Sequence, residues 1–364
     1  MRKKQLFVLV TLAISLCLCV GLLANPAAAA PKKIKLTIAS GHPYGPALWV
    51  TLLRDVFEPA VNKELANTGN YEIQWTEGFG GSIAPIGGVL EAIEAGVADL
   101  GVVMTAFEWS KCRLQNLTYM LTFGTDDFGL AVKTFDKMYE TDPALQKSLL
   151  RFNQLHIAGD SPDTFQLFTN FEVKKMEDLK GHKISASGPM LSLVKVAGGV
   201  PVEGNLVEWY NMAKTGVIDG VIIFVTGAAA FKLNEVLPYY TKVGFGLPSG
   251  GCYLGVNKDV WDGLPDEVKK AIKVAGLAWR QANIDVKKKR VMGAEKMIAD
   301  KGGHIYQMPQ SERIRWANAL PALEDTDWAK QTIAEGLPLK EVVNRYIDLM
   351  ESQGAGFARD WRMK

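Results

Sequence analysis

Predicted strands and helices alternate along the first part of the chain, and this order constrains the fold more than any other feature. Residues 33–40 alternate in hydropathy as a strand does, and apolar residues recur at helical spacing over 46–65. The same reasoning predicts a strand over 71–76, a helix over 86–95 and a buried strand over 99–104. Because connecting helices bring consecutive strands side by side in one direction, the order predicts a mainly parallel sheet in an α/β domain.

The alternation begins again after a predicted helical stretch over 128–152, which indicates a second unit of the same class. Further strands are predicted over 156–158, 166–169, 182–186, 220–225 and 253–257, and further helices over 190–197 and 209–215. One uninterrupted helix is predicted over 265–301, with apolar residues along one face. Its basic run 287–290 is predicted to be a solvated surface rather than a nucleic-acid-binding patch.

The first 29 residues have the organisation of a secretory signal peptide. Three basic residues at positions 2–4 precede an uncharged apolar run over 6–23, and small residues follow at 27–29. We predict cleavage near Ala29 and export to the periplasm. A permanent membrane anchor, and a lipid anchor on one of the two cysteines in the apolar run, are the alternatives that the sequence leaves open.

Removal of this segment changes the composition of the mature chain. The full chain carries 41 basic and 39 acidic residues, and loss of the basic cluster leaves a net charge of about −1. A near-neutral chain that is 48% hydrophobic is neither disordered nor attracted to nucleic acid. Cys112 and Cys252 remain; a disulfide is one alternative, and two buried free thiols are favoured by their wide separation.

No motif in the sequence supplies catalytic chemistry. The chain has no GxSxG, HExxH or phosphate-loop motif, and no cysteine or histidine pair with metal-ligand spacing. The glycine-rich run 78–88 is compatible with anion binding, but a tight turn is the favoured interpretation. Asp126 and Asp127 are interpreted as helix caps or solvated turn residues in preference to metal ligands. We therefore expect no catalytic residue, metal or cofactor, and the residues alone favour an exported binding protein.

Five short segments together resemble one known family of transport proteins. They are EAIEAGVADLG over 91–101, MEDLKGHKI over 176–184, AGGVPV over 197–202, GVIDG over 216–220 and WDGLP over 261–265. In this order and at these spacings, the chain from 34 to 316 resembles the solute-binding proteins of tripartite ATP-independent periplasmic (TRAP) transporters, of the dicarboxylate-binding (DctP) type.

The resemblance implies a periplasmic-binding-protein-like α/β fold, with two domains around a central cleft and a long helix that spans both. The implied division is a signal peptide over 1–29, a first domain over 30–155, a second domain over 156–240, a return to the first domain with the long helix over 241–310, and C-terminal helices over 311–364. A small solute would bind in the cleft, close the domains and pass to an integral membrane permease of the TRAP type. No nucleic-acid partner is implied, and we expect a monomer.

The chain departs from the family pattern at three cleft positions. Ser185 stands where family members usually carry an arginine that pairs with a ligand carboxylate, and Gln166 stands where a second arginine is common. Ile223, followed by Phe224, replaces an asparagine. Because an unpaired charge in an apolar cleft costs several kcal/mol, we hypothesise a larger, less charged or aromatic solute that Gln166 and Ser185 orient. A cleft arginine from elsewhere, such as Arg113, is the alternative that would restore carboxylate binding.

Histidine and aromatic side chains in loops at predicted strand ends complete the set of cleft candidates. They are His42, Tyr44, Phe107, Trp109, Phe123 and Trp209. For each aromatic residue, a position in the core is an equal alternative. Trp209 is favoured because it precedes the GVIDG segment, near which the family's ligand-contacting segments converge. A receptor for another transport or sensory system, an exported enzyme that uses His42, Asp126 or Asp127, and a scaffold without a ligand are the alternative functions.

Overall fold

Two β-sheets divide the chain into two domains. The structure, a computed structural model, describes residues 30–364, so the predicted signal peptide lies outside the described residues. The strands are β1 (Lys32–Ala39), β2 (Tyr71–Gly78), β3 (Leu100–Met104), β4 (Gln154–Asp160), β5 (Phe165–Thr169), β6 (Lys183–Ala186), β7 (Val200–Glu203), β8 (Gly220–Phe224), β9 (Tyr239–Gly246), β10 (Cys252–Asn257) and β11 (His304–Gln307). The first sheet has the order β2-β1-β3-β10-β4 and the second the order β11-β9-β5-β8-β6-β7. The predicted α/β class is confirmed.

Helices connect the strands in both domains. Those of the first domain are Leu48–Leu52, Glu58–Leu65, Val89–Glu94, Leu117–Met120, Phe128–Thr141, Pro143–Leu150 and Lys258–Gly263, and those of the second are Leu191–Val196, Leu206–Lys214 and Val225–Ala230. The helix Asp266–Asp300, called the long helix below, precedes Gln310–Ala319, Asp327–Ala334 and Leu339–Glu351. Short 3-10 turns lie at Ile86–Gly88, Thr105–Phe107, Met176–Leu179, Gly188–Met190, Leu233–Glu235 and Leu323–Asp325.

Strand direction depends on how each strand reaches its sheet. Strands that follow one another within a domain pair in parallel, as β1 does with β2 and β3, and as β6 does with β7 and β8. The strands that arrive from the other domain, β5 and β10, are antiparallel to both of their neighbours. The sheets are therefore mixed, and the predicted parallel pairing holds for the strands connected within one domain.

Three segments cross between the domains. Residues 161–164 lead from β4 to β5, residues 247–251 lead from β9 back to β10, and the long helix contacts β4 of the first domain and β11 of the second. These crossings lie a few residues after the boundaries at 155 and 240 that we predict. In addition, β11 belongs to the second sheet, although 241–310 is predicted to return to the first domain, because the long helix ends beside that sheet and β11 pairs with β9.

The helix predicted over 46–65 contains a change of helical register. It runs as an α-helix over Leu48–Leu52, as a π-helix over Leu53–Phe57 and again as an α-helix over Glu58–Leu65. Pro59 lacks an N–H to donate and its ring crowds the preceding turn, which is the physical reason for the change of register here. The segment is held against the long helix by Trp279, whose indole N–H donates to the Trp49 carbonyl oxygen at 2.9 Å.

One residue of the basic run is buried, contrary to the prediction that the run is solvated. Lys287 is 2% exposed, while the three basic residues that follow it are exposed. Its Nζ lies 2.7 Å from Asp160 Oδ1 and also donates to the Ser161 carbonyl oxygen. Burial raises the pKa of Asp160, and the ammonium of Lys287 opposes that rise. The pair fastens the first crossing segment to the long helix.

The two cysteines of the mature chain are both free and buried. This agrees with the favoured of the two alternatives, two buried thiols rather than a disulfide. None of the helices between residues 30 and 364 combines the length and the apolar character that a membrane crossing requires.

Candidate ligand-binding cleft

A cavity of about 50 Å³ lies between the two domains, where several parallel strands end. Its walls come from both domains and from Pro162 in the first crossing segment. The wall residues of the first domain are His42, Trp49, Met104, Ala106, Phe107 and Tyr119, and those of the second are Phe165, Ser187, Leu206, Trp209, Ile223 and Phe224. Seven of them end or directly follow β1, β3, β6 or β8, namely His42, Met104, Ala106, Phe107, Ser187, Ile223 and Phe224. The carboxyl ends of parallel strands are the usual place for ligands in α/β folds.

Aromatic rings connect the two domains across this cavity. The ring of His42 lies edge-on to Trp49, with centroids 5.0 Å apart, and Trp49 lies edge-on to Phe224 at 6.4 Å. On the other side, Phe165 contacts Phe224 at 5.5 Å and Tyr119 at 6.4 Å. The distances and tilted geometries are those of favourable aromatic pairs. The cleft is thus closed over an aromatic interior.

The wall of the cavity is uncharged at neutral pH. No Asp, Glu, Lys or Arg side chain is among its wall residues within the described part of the chain. His42 is 4% exposed, and burial lowers its pKa to about 4, so its imidazole is neutral at pH 7. Such a wall favours the apolar or aromatic body of a ligand and disfavours an unpaired charge.

Five of the residues predicted from the sequence meet in this cavity. They are His42, Phe107, Trp209, Ile223 and Phe224. They come from four separate segments of the chain, two in each domain, which the fold brings to the same edges of the two sheets.

Ser185 and Gln166, the two residues predicted to orient the solute, lie outside the cavity wall. The hydroxyl of Ser185 donates to the Val202 carbonyl oxygen at 2.8 Å and accepts from the Trp209 indole N–H at 2.7 Å. The Gln166 Oε1 accepts from the Gly244 backbone N–H at 2.7 Å. Both side chains are buried and already bonded, so in this closed arrangement they hold the cleft walls and do not face the cavity.

The other candidates from strand-end loops also point elsewhere. Trp109 packs on Trp328, with ring centroids 6.0 Å apart, and Phe123 is buried against Phe245 and Trp316. Tyr44 lies at the surface, where the guanidinium of Arg54 sits 4.1 Å above its ring.

The arginine offered as a substitute cation, Arg113, is buried with its Nε 2.5 Å from the carboxylate of Glu335.

The interpretation of the two aspartates as structural residues agrees with their contacts. Asp127 accepts from the Leu130 backbone N–H at 2.9 Å as a helix cap, and Asp126 accepts from the Thr164 hydroxyl at 2.9 Å.

A narrow crevice adjoins the cavity on the side of the long helix. The crevice and the cavity share Trp49, Pro162, Leu206 and Phe224 as wall residues. The remaining walls of the crevice are Pro46, Leu48, Thr226, Gly227, Phe231, Lys287 and Arg290. Two basic side chains therefore border the cleft from the long helix, and neither was predicted as a cleft residue.

A larger cavity of about 410 Å³ lies elsewhere in the first domain, beside β4 and the long helix. Among its buried polar groups is Asp136, which accepts from Arg280 at 2.6 Å and lies 3.2 Å from His156 Nε2. Although burial opposes the change, His156 and Arg280 lower the pKa of Asp136. No wall residue of this cavity comes from the second sheet. The interdomain cavity remains the candidate site, since it has walls from both domains and lies at the strand ends, which the larger cavity does not.

Two α/β domains joined by crossing segments, with a closed cavity at their strand ends, define a receptor of the periplasmic-binding-protein class. The chain belongs to a specific family of this class, described as bacterial extracellular solute-binding protein, family 7 (DctP), whose model matches residues 58–331. The family predicted by resemblance is thereby confirmed.

Curated relatives match parts of the chain. It is 27% identical over 148 residues to the C4-dicarboxylate-binding periplasmic protein DctP of Rhodobacter capsulatus, which covers 39% of this chain and 43% of the relative. It is 25% identical over 222 residues to a monocarboxylate 2-oxoacid-binding periplasmic protein of a Nostoc species, which covers 59% of each. The matched segments thus span about half the length of these relatives.

Solved structures match the fold over nearly their whole length. A TRAP solute-binding protein from a marine metagenome, described as specific for aromatic acid ligands and holding 3-hydroxybenzoate, has a TM-score of 0.74 at 21% identity, covering 88% of this chain and 99% of that one. The Bordetella pertussis receptor DctP7, which binds pyroglutamic acid, has a TM-score of 0.71 at 19% identity, covering 86% and 99%. At these identities the likeness establishes the shared fold.

Proposed function

We propose that this protein is an extracytoplasmic solute receptor that binds a small organic acid with an aromatic or otherwise apolar body in the interdomain cleft. The receptor delivers this solute to a TRAP-type membrane permease. The observation that carries the proposal is the uncharged, largely aromatic wall contributed by both domains. A wall of this kind stabilises a ligand by burial of apolar surface and ring contacts, and it leaves few polar groups to fix orientation.

The acid part of the proposal rests on the relatives. Those described above bind a C4-dicarboxylate, 2-oxo monocarboxylates, pyroglutamic acid and 3-hydroxybenzoate. These ligands differ in size and ring content, and all are carboxylates at neutral pH. The aromatic wall of this chain favours the last of them in particular.

Export and partnership follow from the same family membership. The predicted signal peptide over 1–29 places the mature receptor in the periplasm. The translocation step is assigned to a separate TRAP-type permease, because the similar solved structures are TRAP solute-binding proteins. Catalysis is not part of the proposed function, because the family and the similar solved structures are solute-binding proteins.

A ligand panel tests the proposal directly. Purified mature protein is screened by thermal shift against 3-hydroxybenzoate, pyroglutamate, a sterol-like acid, 2-oxobutanoate and succinate, and isothermal titration calorimetry measures each positive ligand. Native-state binding raises the melting temperature in proportion to the logarithm of ligand concentration over Kd. We expect the largest shift with an aromatic acid. A shift with succinate alone would contradict the apolar cleft, and no shift with any acid would favour a scaffold without a ligand.

A matched pair of variants ties binding to the cavity. Phe107 lines the cavity, whereas Trp109, two residues later in the same loop, packs on Trp328 outside it. We expect Phe107→Ala to weaken binding of the best acid about tenfold, because a partly buried ring contact is worth roughly 1–2 kcal/mol. Trp109→Ala should leave affinity within about twofold. The reverse order of effects would place the ligand outside the interdomain cavity.

A further inference from the structure

An acid that binds in the proposed cleft needs a cation, and the cavity wall has none. The family members above bind carboxylates, yet this cavity is lined by aromatic and aliphatic side chains with a neutral histidine. A carboxylate desolvated there without a partner would lose more free energy than ring contacts return. The basic side chains at the border of the cavity are therefore the candidate partners for the charge, a step that rests on the proposed function.

The two basic side chains at this border differ in what they already do. Lys287 is buried and paired at 2.7 Å with Asp160, and its ammonium also donates to the Ser161 carbonyl oxygen. Its charge is balanced, and its hydrogen bonds fasten the crossing segment. A ligand carboxylate that displaced Asp160 would leave that aspartate buried without its cation.

Arg290 lies about one turn further along the long helix and, among the described residues, makes no comparable ion pair. It is exposed, it lines the crevice, and no ion pair or hydrogen bond of its guanidinium is found among the described residues. The acidic residues on either side of Pro162, which lines the crevice, are already engaged, since Asp160 accepts from Lys287 and Asp163 accepts from Thr226. Arg290 is thus an uncompensated cation on a helix that both domains contact.

We propose that Arg290 pairs with the carboxylate of the bound solute, which extends from the cavity into the crevice between Trp49 and Phe224. The aromatic body of the solute lies in the cavity against Phe224 and Trp209, and its acid group faces the long helix. The cation that recognises the acid is in this way supplied by the helix that spans both domains, and by neither sheet.

The geometry of the crevice supports this arrangement. The rings of Trp49 and Phe224 form the partition between cavity and crevice, with centroids 6.4 Å apart, and they belong to different domains. Opening of the domains parts these rings, and closing them over a solute buries its carboxylate beside the guanidinium. The planar fork of arginine matches two carboxylate oxygens, and its long stem lets the charge reach inward from the surface.

The test compares an acid with its neutral analogue in matched variants. Affinities of 3-hydroxybenzoate and 3-hydroxybenzamide are measured by calorimetry for the wild type, Arg290→Ala, Arg290→Lys and Lys289→Ala. Lys289 is an exposed neighbour in the same basic run, outside the crevice wall, so its loss changes the net charge equally. We expect Arg290→Ala to weaken acid binding about 10- to 100-fold and amide binding less than threefold, as the loss of a charge-assisted hydrogen-bonded pair predicts.

The variants separate this inference from the proposed function. Arg290→Lys should recover part of the acid affinity, and Lys289→Ala should match the wild type, because the effect depends on one placed cation. Equal loss in Arg290→Ala and Lys289→Ala would overturn the inference in favour of general charge attraction. Wild-type acid affinity in Arg290→Ala would also overturn it while leaving the proposed function intact. Failure of the wild type to bind any acid of the panel would overturn the proposed function itself.

Discussion

The indole N–H of Trp209 donates to the hydroxyl oxygen of Ser185 at 2.7 Å, and both residues are buried. Ser185 in turn donates to the Val202 carbonyl oxygen on the neighbouring strand at 2.8 Å. Gly204 lies so close that an added Cβ would stand 2.5 Å from the indole nitrogen and 2.8 Å from the serine oxygen. This tight group fixes the edge of Trp209 against the second sheet while another part of the residue lines the cavity.

Replacement of Ser185 by alanine should therefore destabilise the second domain. The change leaves the Trp209 N–H buried without a partner, which costs about 1–3 kcal/mol in the free energy of unfolding. Urea denaturation followed by tryptophan fluorescence measures the change. The matched control is Ser352→Ala, an exposed serine whose hydroxyl donates to the Leu349 carbonyl oxygen and whose loss should stay within about 0.5 kcal/mol. Equal stability of the two variants would show that the Trp209 N–H finds another partner.

The buried pair Lys287–Asp160 predicts a larger effect. Lys287→Met removes the cation and leaves Asp160, which is 1% exposed, without its partner. Breaking one side of a buried ion pair typically costs about 3–5 kcal/mol. Lys288→Met, one residue later on the exposed side of the same helix, is the control and should change stability by less than about 0.5 kcal/mol. If urea denaturation gave equal midpoints for both variants, the crossing segment would not depend on this pair.

Most of the fold could be predicted from the sequence, because strands and helices follow regular patterns of hydropathy. Hydropathy periodicity located eight of the eleven strands, all except β7, β9 and β11, and the long helix, whose predicted span 265–301 agrees with Asp266–Asp300. Strands β7 and β11 lie at the edges of the second sheet and are short, and β7 contains a proline, so neither has a clear alternating pattern. The burial of Lys287 could not be predicted from the sequence, because only its contact with Asp160 of β4 distinguishes it from the neighbouring lysines.

The sequence located most of the chain segments that form the site, but it did not predict which way their side chains point. The segments that form the cavity were identified, but Ser185 turns toward Trp209 and Gln166 toward Gly244. Whether a residue near a strand end faces the cleft or the core depends on pairing register and on neighbours that are distant in sequence. Trp49 shows the converse, because it was not among the cleft candidates, yet its ring contacts Phe224 of the other domain.

The burial of His42 predicts a pH dependence of stability. Its pKa is lowered to about 4 in the folded protein, below its ordinary value of 6.5. Between these values the unfolded chain binds a proton at this residue that the folded protein does not, so stability decreases as pH falls from 6.5 toward 4. The contribution of His42 is complete above pH 6.5 and reaches about 3 kcal/mol. His42→Gln should remove this pH dependence of stability, which urea denaturation at pH 7.0, 6.0 and 5.0 measures.

Two buried carboxyl groups change the stability with pH in the direction opposite to His42. The effect of His42 is therefore measured as the difference between the wild type and the variant. Burial raises the pKa of Glu58 and of Glu108 to about 7, so the folded protein binds their protons more readily and gains stability as pH falls from 7 toward 4.5. Both groups remain in His42→Gln, and their contribution cancels when the wild type and the variant are compared at each pH. Parallel pH profiles of the two proteins would mean that His42 is solvated in solution.

The contact between Gly188 and Ala106 predicts that closure depends on a glycine. Gly188 has φ of +45°, and an added Cβ would stand 3.0 Å from the Ala106 carbonyl oxygen of the other domain. Gly188→Ala should therefore strain the backbone by about 1–2 kcal/mol and also hold the domains apart. We expect a larger radius of gyration in small-angle X-ray scattering with saturating 3-hydroxybenzoate, and about tenfold weaker binding of that acid. Gly181→Ala is the matched control, because Gly181 has φ of +81° with nothing within 4 Å of an added Cβ. Both variants should lose a similar amount of stability. Only Gly188→Ala should also fail to close the domains and bind 3-hydroxybenzoate more weakly. Equal affinity of the two variants for this acid would mean that the contact does not limit closure.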